Sequence, residues 1–238
     1  DGRSLHGIND ASIRIGLRLS KDETIVRMPF EVRHMGSKYP IFSFDFTGAK
    51  RGVLPASYDY LRLEGRMQYR LNLPPIGYSQ LMLEGGKIFG KVPYLLLKLH
   101  EGNGTYFYDR YAFSCMNFYE FSSDAWISFF YEHHFNGFLL GRVPLLKKLN
   151  WREVFVFKGV YGTLSARNDG SLPNTKAVML FPVGMSSVEH PYLETGFGIE
   201  NIFRLLRVDC IWRLTHHRAV PGLSIPTFTV NFSLNLKF

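Results

Sequence analysis

The sequence contains no apolar run of about 18 residues, so it carries no transmembrane helix. Its longest uncharged apolar stretches, such as 128–131 and 178–182, are the size of strands. Cysteine is scarce: Cys115 and Cys210 form neither a ligand-spaced cluster nor a disulfide framework. The chain opens Asp-Gly-Arg-Ser without the basic-then-apolar order of a signal peptide. A readable strand begins almost at once, near Ser12, which favours further chain upstream. No basic run accompanies the net charge of +8; the 28 Lys and Arg are interspersed with apolar residues. Without such a footprint, or a helix-turn-helix, zinc finger or aromatic-basic motif, nucleic acid is not an expected partner.

The signatures of common catalysts are missing too. No Gly-x-Ser-x-Gly, phosphate-binding loop or His-Glu-x-x-His occurs, so an enzyme is not expected and no catalytic residue or cofactor is assigned. Glu132-His133-His134 is the one tempting cluster. On a strand, Glu132 and His134 share a face and His133 points away, and two ligands are too few for a zinc site. No metal is therefore expected. His216 and His217 read as solvated loop residues.

What the sequence does have is alternation. From Leu61 to Leu73, Leu61, Leu63, Gly65, Met67, Tyr69, Leu71 and Leu73 occupy one face, and Arg62, Glu64, Arg66, Gln68, Arg70 and Asn72 the other. Successive side chains of a strand point to opposite sides, so this reads as one strand with an apolar and a charged face. Similar runs begin at Ile13, Val26 (to Arg33), Phe42 and Arg207. Less regular strands fit at 78–89, 108–121, 126–135, 153–165 and 192–202, and the last runs from Thr227 to Phe238. Turn-forming residues separate them, at 20–22, 36–38, 74–77 and 122–124. Val143–Leu149 reads either as an amphipathic turn, with Lys147 and Lys148 towards headgroups, or as a plain solvated loop.

A soluble sandwich alternates as well, with its apolar face inward. Four features favour lipid outside instead. Several runs reach 9–13 residues, the length that crosses a bilayer at a tilt of about 45°. The polar faces carry both signs densely: Arg62, Glu64, Arg66, Arg70, Glu84, Glu132, Glu194, Glu200, Arg207, Asp209 and Arg213 read as a lumenal charge network. Aromatics gather near strand ends, and Tyr58, Tyr60, Tyr106, Phe107, Tyr108, Trp126, Trp151 and Tyr192 read as interfacial girdles. Finally, Phe228, Val230, Phe232, Leu234, Leu236 and Phe238 alternate strictly with polar residues up to a terminal aromatic. Such a strand suits recognition by the barrel-assembly machinery, because its unpaired edge can join a template.

The expected fold is therefore all-β: an antiparallel transmembrane β-barrel over residues 1–238. About 12 strands are expected, since single-chain bacterial barrels have an even number; the chain is either that barrel or the C-terminal part of a larger one. Its expected place is the bacterial outer membrane, with lipid, the assembly machinery and other outer-membrane or periplasmic proteins as partners. With the final strand ending at the periplasmic side, 166–191 and 215–226 become extracellular loops, and Asn168 and Gly222 become exposed positions.

Several stretches carry a family resemblance: 104–113 (GTYFYDRYAF), 130–137 (FYEHHFNG), 143–149 (VPLLKKL), 152–154 (REV), 191–202 (PYLETGFGIENI), 207–209 (RVD) and 212–214 (WRL). Together they resemble the C-terminal barrel of an uncharacterised outer-membrane family common in Bacteroidota. Its members often carry an N-terminal carboxypeptidase-regulatory-like domain, which these residues do not contain. The resemblance implies an anchor and pore for a periplasmic domain. The family's barrel is also distantly similar to outer-membrane assembly factors, which implies the alternative of an assembly or secretion factor. The Arg-Gly-Phe/Tyr loop motif of that superfamily is absent here, which tells against the alternative.

Overall fold

Alternation becomes strand wherever it stays in phase and is bounded by turn residues. A computed structural model of the chain describes residues 8–28, 30–53, 55–171, 176–217 and 224–234. In chain order its strands are β1 (Ile13–Leu19), β2 (Thr24–Arg27), β3 (Val32–Gly36), β4 (Ile41–Ala49), β5 (Tyr60–Asn72), β6 (Tyr78–Gly90) and β7 (Lys98–Leu99). Then come β8 (Phe121–Ser123), β9 (Ala125–His134), a one-turn helix α1 (Pro144–Lys147), β10 (Arg152–Thr163) and β11 (Ser186–Ser187). The last are β12 (Tyr192–Ile202), β13 (Leu206–Arg213) and β14 (Phe228–Leu234).

The protein is all-β and mostly antiparallel. Nine strands form one sheet in the order β1-β4-β5-β6-β9-β10-β12-β13-β14. Among the described residues β1 and β14 are its two edges and do not pair with each other. The hairpin β2–β3 forms a two-stranded sheet, and β11-β8-β7 a three-stranded one.

Two runs read as strands behave otherwise. The alternation from Val26 to Arg33 is split into β2 and β3, and Met28 and Glu31 exchange backbone hydrogen bonds at the turn between them. The run 108–121 is not a strand; only Phe121–Ser123 is. β6 pairs directly with β9, so 91–124 is an insertion between neighbouring strands. Ala112 to Met116 are buried without a break. Five consecutive buried residues do not fit a strand with one solvated face.

The polarity of the main sheet is inverted relative to a soluble sandwich. One face carries the row Leu19, Phe42, Met67, Leu83, Phe129, Gly159 and Leu193, each paired with the next across the sheet. Farther on, Trp212 pairs with Phe228, their rings in tilted contact at 5.2 Å. This face is open: Ile15 is 65% exposed, Phe44 38% and Phe197 60%. The opposite face carries the charges, and from β9 to β13 all but Arg152 are buried. Glu194 and Asp209 are both fully covered.

The insertion 91–124 provides the cover. Phe113, Met116 and Phe121 from it form one apolar cluster with Met82, Phe130, Val160, Val188 and Tyr192. Val92 and Leu97 form a second with Ile88 and Trp126. Each fully buried aromatic or aliphatic side chain contributes about 1.5–3 kcal/mol, whereas buried ion pairs roughly break even against their desolvation. Apolar packing thus holds the insertion down, and polar contacts fix where it sits. Trp126 and Tyr192 are consequently core residues and not girdle aromatics: they are 6% and 0% exposed.

Candidate functional site

The charged face is organised by what the insertion brings to it. Glu132, on β9, is the hub. Arg110 and Arg207 reach it at 2.9 and 3.3 Å, and the Tyr108 hydroxyl donates to it. Arg207 also grips Asp209 through Nε and Nη2 at 2.8–3.0 Å. His134 stands 3.4 Å from Glu132 and 3.1 Å from Glu200, linking β9 to β12. Arg207 and Lys158 lie over the Tyr108 ring at 4.4 and 4.5 Å. Tyr108 is therefore an interior residue too, not part of a girdle.

Lys158 is 1% exposed and has no carboxylate within ion-pair distance among the described residues. Its ammonium donates to the carbonyls of Asp109 and Ala112 at 2.7 and 2.6 Å. Next to it, Glu194 accepts from the backbone N–H of Ser114 and Cys115 at 2.8 and 2.7 Å, and from the Tyr192 hydroxyl at 2.7 Å. Arg213 pairs with Glu120 at 2.6 Å and donates to the Cys115 carbonyl at 3.2 Å. A strand cation, a strand carboxylate and a strand guanidinium thus hold the backbone of 109–115 from three sides. Hydrogen bonds that involve an ionised partner are about twice as strong as neutral ones.

A second group lies towards β5. Lys98 bridges Glu84 and Glu101, each at 2.9 Å, and Arg66 reaches Glu84 at 2.6 Å. Burial alone would lower the Lys98 ammonium pKa, but Glu101 and Glu84 outweigh it and raise it. His100 lies 2.9 Å from the Ser123 hydroxyl, and burial together with the Lys98 charge pushes its imidazole down to about 3. Burial, reinforced by Glu194, pushes the Cys115 thiol up to about 12, so it stays a neutral donor towards the Ile211 carbonyl. Arg62 pairs with Glu64 at 2.7 Å along its own strand.

The charges named from the sequence therefore do not form one network. Glu132, Arg207 and Asp209 meet directly and Glu200 joins them through His134, while Glu194 and Arg213, on β12 and β13, hold the insertion beside them. Glu84 and Arg66 meet at Lys98, Arg62 and Glu64 pair apart, and Arg70 has no carboxylate partner among the described residues. The sequence reading missed Lys98, Arg110, Glu120 and Lys158, and took Tyr108 for a girdle residue. Lys98, Tyr108, Arg110 and Glu120 lie in the insertion, whose signal was the broken alternation at Ala112-Phe113 and Cys115-Met116. Lys158 sits in phase with Val154, Val156 and Val160, and with Arg152 at the start of the strand, a cation in the middle of an apolar stretch.

Other expectations need correction or lie outside view. Asn168, read as an exposed loop position, is 1% exposed; it accepts from the Val92 N–H and donates to Asp124, each at 3.1 Å. Phe228, Val230, Phe232 and Leu234 share the open apolar side of β14, whereas Leu236, Phe238 and Gly222 fall outside the described residues. Ser79, His133 and Tyr131 form a hydrogen-bonded chain that ends on the Ile76 carbonyl, tying the β5–β6 turn to β9. Among the described residues no cluster of three or more His, Cys, Asp or Glu is placed to hold a metal ion.

Residues 7–166, more than half of the chain, match the model of the family described as "Family of unknown function (DUF5686) C-terminal domain". The chain belongs to this DUF5686 family. The matched region contains β1 to β10 and the whole insertion, so Glu84, Lys98, Arg110, Glu132 and Lys158 are all DUF5686-domain residues. Glu194, Arg207 and Arg213 lie beyond the matched part. No curated protein matches the chain.

Proposed function

We propose that this DUF5686 domain is an integral outer-membrane β-barrel of a bacterium, an anchor and narrow pore for a periplasmic domain. The carrying observation is the inverted polarity of the nine-stranded sheet. Exposed apolar patches on soluble monomers rarely exceed a few hundred Å². Here an open apolar face runs from Ile15 to Phe228 while Glu132, Lys158, Glu194, Arg207 and Asp209 on the other face are buried. In hydrocarbon, sheet edges must be paired, so the sheet closes on itself or with further strands. The apolar face then meets lipid, and 91–124 fills part of the lumen as a plug. The Phe228–Phe238 alternation serves the barrel-assembly machinery.

The test is membrane fractionation of the full-length protein, followed by gel mobility with and without boiling. A barrel fractionates with the outer membrane and shifts on heating. Recovery as a soluble protein without a heat shift contradicts the reading.

One observation favours a second reading, an assembly or secretion factor acting on other membrane or surface proteins. Among the described residues the outer edge of β14 carries only a parallel bridge from Phe107 to Phe232, flanked by two backbone hydrogen bonds of 2.7 Å. A lightly held edge suits exchange with a client strand. Crosslinks from position 232 to other outer-membrane proteins distinguish this reading from the first.

A further inference from the structure

The plug does not cover the charged face evenly. It lies against β9 to β13 and against Met82, Glu84 and Ile88 of β6, and leaves cavities along β4, β5 and the start of β6. One of about 810 Å³ is walled by the β2–β3 hairpin, the inner positions of β5 and β6, and the plug at Arg110 and Tyr111. It sits at the end of the sheet that holds the short 73–77 turn. A smaller cavity of about 120 Å³ follows on the same face, lined by Asp45, Arg66, Glu84 and Lys98 among others.

The charge balance differs between the two. In the smaller cavity the charges are spent on each other: Arg66 and Lys98 hold Glu84, and Arg14 holds Asp45. The larger cavity is lined by Lys38, Arg70 and Arg110 against one carboxylate, Asp22. Arg110 is committed to Glu132, and the neighbouring His34 faces Glu23 at 3.1 Å. Lys38 and Arg70 have no carboxylate partner among the described residues. Arg70 is nevertheless held in place. Its guanidinium lies 4.1 Å from the centre of the Tyr78 ring, and that ring stacks on His134 at 4.5 Å. A planar cation fixed by stacking keeps its N–H donors free for an incoming oxyanion.

We propose that this cavity is the anion-selecting mouth of the pore, taking small oxyanions such as inorganic phosphate, with Arg70 as its selectivity determinant. The proposal rests on the pore reading above. Rings or ladders of Arg and Lys favour anions in pores because they lower the electrostatic cost of shedding water at a constriction. Arg62, Arg66 and Arg70 recur every fourth position on one face of β5, a spacing of about 13 Å for extended chain. Arg70 stands at the mouth unneutralised, and the two behind it are paired.

The test is reconstitution of the full-length protein in planar bilayers under a salt gradient, after a heat shift on gels has shown that each variant is folded. The expected result is a reversal potential of anion-selective sign in the wild type, which changes sign in Arg70→Glu. Added phosphate should reduce the chloride current of the wild type and not that of Arg70→Gln. If Arg70→Glu fails to fold, Lys38→Glu, on the exposed rim, carries the same expectation in weaker form. Folded, conducting variants with unchanged selectivity overturn the proposal and leave the pore standing. A heat-shifted wild type that does not conduct overturns both pore and proposal but leaves the barrel. A wild type without a heat shift overturns the barrel reading.

Discussion

Single residues carry the docking of the insertion 91–124, and His100 gives a way to read it. The buried imidazole is neutral in the folded protein with a pKa near 3, while in the unfolded chain it titrates near 6.5. Between those values the unfolded state binds more protons, so the contribution is intact above about pH 6.5 and is lost as pH falls towards 3. The slope is at most about 1.4 kcal/mol per pH unit for one group. Denaturation midpoints measured from pH 7 to pH 4 should fall more steeply in the wild type than in His100→Gln. Parallel curves would show that His100 is not a buried neutral group. Little at this scale was legible beforehand. The arginines and glutamates of the strand faces could be named from phase alone, because phase fixes the face. Their partners could not, because Lys98, Arg110 and Glu120 reach them from a segment far away in sequence.

Elements were legible where alternation and turn residues agreed. β5 stands nearly as its pattern indicated, since thirteen residues in phase leave one possible register of faces. The Val26–Arg33 pattern misled because a tight turn between two strands can preserve the apolar-polar rhythm. The 108–121 stretch misled through composition: its aromatics suit any half-buried surface, and strand preference measures such packing more than backbone geometry. Glycine placement tests how the plug end of the sheet is built. A Cβ on Gly86 would lie 2.5 Å from the Trp126 ring and 2.7 Å from the Leu63 carbonyl. Gly86→Val should therefore cost about 1–3 kcal/mol by overpacking, read as a lowered temperature of the gel shift. An unchanged transition temperature would mean that Trp126 does not lie across β6.

For the whole molecule, strand parity separates two ends. The 73–77 and 203–205 turns lie at one end together with the connections 20–40 and 135–151, and the segments 50–59, 91–124 and 164–191 lie at the other. Val183, 88% exposed, marks the end that holds 164–191, and Phe203, 87% exposed, the end that holds the 73–77 turn. In a background lacking Cys210, cysteine at 183 should label on intact cells, and cysteine at 203 only after the outer membrane is ruptured. The opposite order would invert the orientation. The central claim concerns the face that meets lipid, and adjacent positions on β5 test it because one step reverses the side. Met67 lies on the apolar face between Phe42 and Leu83, and Gln68 on the inner face beside Met82. Met67→Arg at mid-membrane should cost about 2–4 kcal/mol, but a buried soluble core would suffer as well, so stability alone does not decide. Nitroxide labels at 67 and 68 in bilayers do. The account predicts that dissolved oxygen relaxes the label at 67 and a water-soluble nickel chelate the label at 68. If neither label senses lipid, the apolar face is not in a membrane and the account is contradicted.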